Sequence, residues 1–442
     1  MTDLHRDLHI NTDRLLRELH HLATLTDCPA TTDPNLAPPT TAVTRIVFTP
    51  RDLEARAYIS SLAEAGGFTL RADAIGNTFI RFPGTDPTLP AVGTGSHTDA
   101  IPHAGMYDGT VGVLGGLEAM RALKESGFTP RRSIETLMFT SEEPTRFGIG
   151  CIGSRLLGGS ISPAIADALT DRLPETDPRA PTGLTLHDVR TAAGLTASLT
   201  TVPLPPHYYH AWVELHIEQG PLLEREGIPI GIVTNIAAPA SYRYEITGFG
   251  GHAGALLMPD RRDALTAAAE LILSVEKHTL AANAASGTSD SVATVGTVAV
   301  HPGAINSVPS RVTLTLDIRD TDVSRREAIM AALHADIRAL EARRNITITE
   351  HQINADVPAT SDPHILATLE TICNSESIPY KKMVARAYHD TNFIAPIAPV
   401  AMIFIPCRNG VSHRPDEYAT PESIALGTRV LALALAKLTN EV

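Results

Sequence analysis

Apolar positions along this chain recur at two spacings, one helical and one strand-like, and their alternation predicts an α/β fold. Residues 53–68, LEARAYISSLAEAGGF, keep the spacing of an amphipathic helix and stop at Gly66 and Gly67. Residues 111–127, VGVLGGLEAMRALKESG, predict a second helix closed by Gly127. Short apolar runs between them read as strands: PAVGTGSHTDA at 90–100, and SIETLMFTSEE at 133–143, which runs into two adjacent carboxylates. The last ninety or so residues return to this pattern, with a helix over 363–375, a buried-strand run VAMIFIP at 400–406 and a closing helix over 421–438.

A different rhythm fills residues 231–353. SYRYEITGF, a helix over 263–282, SVATVGTVAV, RVTLTLDIRD, a helix over 323–344 and ITITEHQI make a βαββαβ order, which predicts a compact inserted domain. The surrounding domain is then discontinuous, formed by 1–230 and 354–442. Residues 158–207 are rich in Pro, Thr, Ala and Gly with one helical piece over 186–193, and are expected to be a surface excursion.

Composition narrows the function. The chain has 442 residues, enough for two or three domains, and 43% hydrophobic residues without an apolar run near the roughly 20 that cross a bilayer. A net charge of -13 with no basic tract argues against nucleic acid as a partner and leaves a small ligand. Cys28, Cys151, Cys373 and Cys407 are far apart with no paired spacing, which suits a reducing cytoplasm. The first residues, MTDLHRDLHINTDRLLREL, have helical spacing but no apolar signal core, so no export signal is expected.

Candidate chemistry gathers where strands end. GSHTDAIPHAGMYDGT, FTSEEPTRFG, VELHIEQGP and GVSHRPDEY concentrate His and acidic residues. Each alone has an ordinary reading: a loop HxD at His97 and Asp99, a turn at Asp108–Gly109, a solvated acidic turn at Glu142–Glu143, a loop histidine at His413. Alternation in WVELHIEQGP puts Val213, Leu215 and Ile217 on one face and Glu214, His216 and Glu218 on the other, aiming His216 at a site. Five candidate ligands, His97, Asp108, Glu143, His216 and His413, all fall where one sheet would collect them. Imidazole and carboxylate without thiolate suit Zn, Mn or Co. One of the adjacent glutamates can bind metal while its neighbour takes a proton from an acidified water.

Nine segments in register, GSHTDA, MYDGTVGVLGGLEA, SEEPTRFG, GSR, ELHIEQGP, GGHAG, MPDRRDA, VPSRVTLTLDIRD and SHRPDEY, resemble the M20 peptidase-like family in its amidase/hydantoinase-carbamoylase branch, across nearly the whole chain. The resemblance implies an M20-type catalytic domain, a mixed sheet between helices with a two-metal site, and an inserted ferredoxin-like lid and dimerisation domain. It implies two divalent cations per subunit, manganese first, zinc or cobalt otherwise. His97, bridging Asp108 and His216 would hold one; Asp108, Glu143 and His413 the other. Asp99 would support a ligand, Glu142 would be the general base, and His252 of GGHAG would act in the partner subunit's site of a homodimer. Gln219, Asn306, His389 and Asp390 are implied substrate contacts. In RVTLTLDIRD the apolar face of Val312, Leu314, Leu316 and Ile318 leaves Asp317 and Arg319 opposite, so Arg319 is available to grip a substrate carboxylate or, in the ordinary reading, to pair with Asp317 or Asp320.

One segment departs from the branch's pattern. Where most members have small residues before the histidine, ARAYHDTNF has Arg386 and Tyr388, which add bulk and favour a small substrate. Plant-type ureidoglycolate amidohydrolases are similar here, so the resemblance implies hydrolysis of ureidoglycolate to glyoxylate, ammonia and carbon dioxide, a step of allantoin and purine catabolism. Allantoate or an N-carbamoyl-L-amino acid is the alternative substrate, and a dipeptidase or aminopeptidase the more distant one.

Overall fold

The computed structural model describes residues 8–173 and 180–441. Residues 1–7 of the amino-terminal helical reading and 174–179 of the expected excursion lie outside the described residues. The chain forms two units: Met1–Thr234, Thr360–Met383 and His389–Val442 in one, Asn235–Ala359 with Val384–Tyr388 in the other.

The principal elements begin with helices α1 (Thr12–Thr24) and α2 (Pro50–Ala65) and strands β1 (Thr69–Ala72), β2 (Thr78–Phe82) and β3 (Ala91–His97). Helix α3 (Thr110–Glu125), β4 (Ile134–Phe139), α4 (Ile152–Leu157), β5 (Tyr209–Ile217) and β6 (Ile230–Ile236) follow. Next come β7 (Ala238–Thr247), α5 (Ala264–Ser286), β8 (Val292–His301), β9 (Arg311–Asp320), α6 (Val323–Arg344) and β10 (Thr347–Ala355). The chain closes with β11 (Ala359–Thr360), α7 (Pro363–Ser375), β12 (Tyr380–Ala385), β13 (Val400–Ile405) and α8 (Pro421–Thr439).

Nine strands make the large sheet, in the order β11-β6-β13-β5-β3-β4-β2-β1 with β12 paired to β6. Its middle four, β13, β5, β3 and β4, are parallel. Strands flanking them, β6 and β2, run antiparallel. A parallel sheet is covered on both faces, and β3, β4 and β13 are accordingly buried at every residue. Val213, Leu215 and Ile217 join the core under α3 and α8, while Trp212 joins the core on the other face. That alternation is the one predicted.

Among the described residues, the stretch over 158–207 is only in part a surface excursion: many of its residues are exposed, but its apolar anchors are not. Ile161, Ala166, Leu186, Val189, Leu199 and Val202 are buried and cover the second face of the sheet. Arg146 pairs with Asp171 at 2.9 Å and Arg190 with Asp167 at 2.8 Å, tying the segment down. Leu186 and Val189 share a face of the predicted helical piece, while Ile161, Ala166, Leu199 and Val202 are scattered outside it, so a reading by periodicity passes over those four.

In the second unit β8-β9-β7-β10 form an antiparallel sheet. Val312, Leu314, Leu316 and Ile318 of β9 pack with β7 and with α5 and α6. Asp263 caps α5, which runs four residues past the predicted end to Gly287 at φ 68°. Residues 384–388 join this unit locally: Ala385 O accepts Ala237 N at 2.8 Å, and Arg386 donates to Ser289 O at 3.0 Å and Asp290 Oδ1 at 3.1 Å. No helix of the described residues is long and apolar enough to cross a membrane.

Candidate active site

The four parallel strands end in the four segments singled out by sequence. His97 is the last residue of β3, His216 the penultimate residue of β5, Glu142 and Glu143 follow β4, and His413 follows β13. Ligand sites of open α/β sheets form beyond these carboxyl ends, because the loops there diverge and leave room.

Asp108 is the centre of the cluster. Its Oδ1 lies 3.5 Å from His97 Nε2 and 3.2 Å from His216 Nε2; its Oδ2 lies 3.4 Å from His413 Nε2. His413 Nε2 is also 3.2 Å from Glu143 Oε1. Two triads therefore share Asp108: His97, Asp108, His216 and Asp108, Glu143, His413, with the ligand atoms of each within 4.8 Å of one another. A third grouping, Glu214, His216 and His389, is already committed, since Glu214 accepts from Ser96 Oγ at 2.9 Å and Thr391 Oγ1 at 2.5 Å.

The donor chemistry fits divalent cations. His97 Nδ1 meets the carbonyl of Asp99 at 3.0 Å, and His216 Nδ1 the carbonyl of Ile217 at 2.9 Å. A carbonyl only accepts, so Nδ1 carries a proton in each, and Nε2 is the atom turned to the carboxylates and left for a cation to take. His216 Nε2 accordingly accepts Gly109 N–H at 3.2 Å. Burial works against a charged His97, yet Glu142, Asp108 and Asp99 hold it well above the usual imidazole range. His413 reaches about 11 against burial through Asp108 and Glu143. Asp108, which burial would raise, is held well below the carboxylate range by His216, His413 and His97. A field that draws protons onto imidazoles is one that a cation neutralises.

Glu142 lies beside this cluster with Oε2 3.7 Å from His97 Nε2. Burial first, then Glu143, Asp390 and Asp108, push its carboxyl well above 4.5, although His97 opposes them. Cys151 Sγ donates to Glu142 Oε1 at 3.3 Å. Asp99 has its carboxylate 3.8 Å from His97 Nδ1 and accepts with it the N–H groups of Glu142 at 3.3 Å and Glu143 at 3.0 Å. It fixes the two glutamates, and its carbonyl fixes the histidine. Ser141, Cys151, Gln219 and His413, none of them glycine, all have φ near +60° (60°, 57°, 54° and 61°), a strain of the order of 1–3 kcal/mol each that clusters at sites.

Gln219, expected to meet substrate, turns inward and donates from Nε2 to Asp108 Oδ2 at 2.7 Å. His389 packs edge-on to His216, with ring centroids 4.5 Å apart. Asp390 accepts from Ser154 Oγ at 2.5 Å, and burial, then the charge of Glu214, pushes it up to about 7.

Within the second unit, Arg319 is not left open: it donates to Asp317 Oδ1 at 2.7 Å and lies 5.2 Å from the Tyr388 ring centroid. Its planar fork finds a carboxylate two residues away on the same strand face. His252 is exposed, its Nδ1 accepting Gly254 N–H at 3.1 Å, and Asn306 is exposed as well. Sequence reasoning missed Glu417 and Ser412, which both contact Asp108, although His413 lies between them in SHRPDEY; adjacency to a ligand was the available signal.

The sequence profile of peptidase family M20/M25/M40 matches residues 93–437. A ureidoglycolate hydrolase of Oryza sativa subsp. japonica is 47% identical, covering 98% of this chain and 85% of that protein. An N-carbamoyl-L-amino acid amidohydrolase of Geobacillus stearothermophilus is 36% identical, over 89% of this chain and 92% of that one. The crystal structure of AtUAH in complex with glyoxylate superposes with a TM-score of 0.85 at 44% identity, covering 99% of this chain and all (100%) of that one.

Proposed function

The chain belongs to peptidase family M20/M25/M40, and from that premise we propose that it is a two-metal amidohydrolase cleaving the ureido C–N bond of ureidoglycolate. One observation carries the chemistry: three imidazole Nε2 atoms converge on the two oxygens of buried Asp108, beside a separate buried carboxylate, Glu142. His97, Asp108 and His216 would hold one divalent cation, Asp108, Glu143 and His413 a second, with manganese first among the candidates. Bound there, the cations supply a polarised carbonyl and an acidified water.

The protein's own part is to aim and to move protons. Glu142 takes the proton of the attacking water and passes it to the departing nitrogen; burial, which raises its carboxyl, favours holding that proton in transit. Water and ureidoglycolate give ammonia, carbon dioxide and hydroxyglycine, which loses a second ammonia to leave glyoxylate. Arg319, steadied by Asp317 and Tyr388, would grip the substrate carboxylate. In a homodimer His252 would stabilise the developing oxyanion in the partner's site. Four unpaired cysteines suit an enzyme of the reducing cytoplasm.

The likeness to the rice ureidoglycolate hydrolase and the bulk of Tyr388 favour ureidoglycolate over an N-carbamoyl amino acid. Ammonia release by manganese-loaded protein from ureidoglycolate, allantoate and N-carbamoyl amino acids tests this. A wide margin for ureidoglycolate in kcat/KM is expected; a margin for another substrate keeps the hydrolase and rejects the substrate.

A further inference from the structure

Asp108 stands just before α3, whose N-cap, Gly109, makes no side-chain cap. The N–H groups of Tyr107 and Asp108 precede that cap in buried residues outside the helix ladder, and a buried N–H needs an acceptor. Glu417 supplies it from the far end of the chain: its Oε1 accepts Tyr107 N–H at 2.8 Å and Asp108 N–H at 3.0 Å. Its Oε2 lies 2.8 Å from Ser412 Oγ, which lies 2.6 Å from Asp108 Oδ2. Glu417 thus holds Asp108 through its backbone, and Ser412, with one hydroxyl proton to give, stands between the two carboxylates within reach of both. The contact is built closely, since a Cβ at Gly105 would lie 2.3 Å from Glu417 Cβ. Ser412 also precedes His413, so one short segment carries a candidate ligand and the hold on another.

We propose that Glu417 is a positioning residue that, with Ser412, aims the Asp108 carboxylate at both halves of the metal centre. This rests on the two-metal reading above. Cation affinity, and not only folding, then depends on a carboxylate that touches no cation; partners behind ligands characteristically change metal affinity by roughly 10–100-fold.

The test is Mn2+ binding to metal-free, full-length protein, measured by competition with a fluorescent chelator, with a thermal melt of each variant. Glu417→Ala is expected to bind Mn2+ roughly 10–100-fold more weakly. Glu417→Gln keeps an oxygen for both N–H groups and an amide that donates to Ser412, and should stay within about threefold of the parent. A role confined to stability would lower the melting temperature and leave the affinity of the folded protein unchanged, so parental Mn2+ affinity in folded Glu417→Ala overturns the proposal. Should Glu417→Ala not fold, Ser412→Ala decides, because both backbone contacts survive in it: weaker binding supports the proposal and unchanged binding overturns it. Parental protein that binds no Mn2+ rejects the two-metal reading itself, a distinct result in which all variants behave alike.

Discussion

The two units treat their functional candidates in opposite ways. In the first, His97, Asp108, Glu142, Glu143 and His216 are buried and their charges face one another beyond buried parallel strands, while His413 alone of the five candidate ligands is exposed. In the second, His252 and Asn306 are exposed and Arg319 is half-buried on the open face of an antiparallel sheet. Charges removed from water must be matched in place, because an unmatched one costs several kcal/mol. Exposed ones can wait for a ligand. The contrast teaches that the first unit is built for fixed geometry and the second for adjustable contact.

The largest expected effect is on the first side of the contrast. Glu142→Gln should lower kcat by roughly 10²–10⁴-fold with manganese stoichiometry unchanged, since a base is lost and no ligand. Turnover near that of the parent in a metal-replete variant would remove Glu142 from this role. The core under the site should respond strongly too: Leu215→Ala, at a wholly buried position, should cost about 2–5 kcal/mol in urea unfolding. Val298→Ala, at an exposed position of β8, should stay within roughly 0.5 kcal/mol. Equal losses would erase the contrast.

Acidity sharpens the same comparison. Glu142 acts as a carboxylate, and burial raises its carboxyl above 4.5, so the active form is lost as pH falls through a value above the ordinary one. With manganese saturating, kcat/KM should climb through mildly acidic pH toward neutrality. A profile already flat at pH near the ordinary glutamate value would mean that Glu142 is not the titrating base.

Arg319→Lys gives the smallest expected effect on turnover. It should raise KM for a carboxylate substrate by about tenfold with kcat little changed, because an ammonium cannot reproduce the planar fork that Asp317 holds in place. An unchanged KM would mean that Arg319 serves Asp317 alone.

Much of this was legible in order along the chain. The strand alternation of Val213, Leu215 and Ile217, the caps of the helices, the βαββαβ rhythm and the five candidate ligands at strand ends are local patterns, and local periodicity follows from backbone geometry. Burial of Ile161, Ala166, Leu199 and Val202 was not legible, because these anchors are scattered outside any periodic element. Nor were the inward turn of Gln219 or the choice of Asp99 to hold the glutamates by its carboxylate and His97 by its carbonyl, and for Arg319 the sequence left open a pair with Asp317 or Asp320, of which the structure has Asp317. By itself the sequence determined which groups are present and which ends of which strands carry them. Only the tertiary structure decided which oxygen each nitrogen meets and that Glu417 reaches Tyr107 across 310 residues, because hydrogen bonds are settled at ångström scale by how distant strands pack.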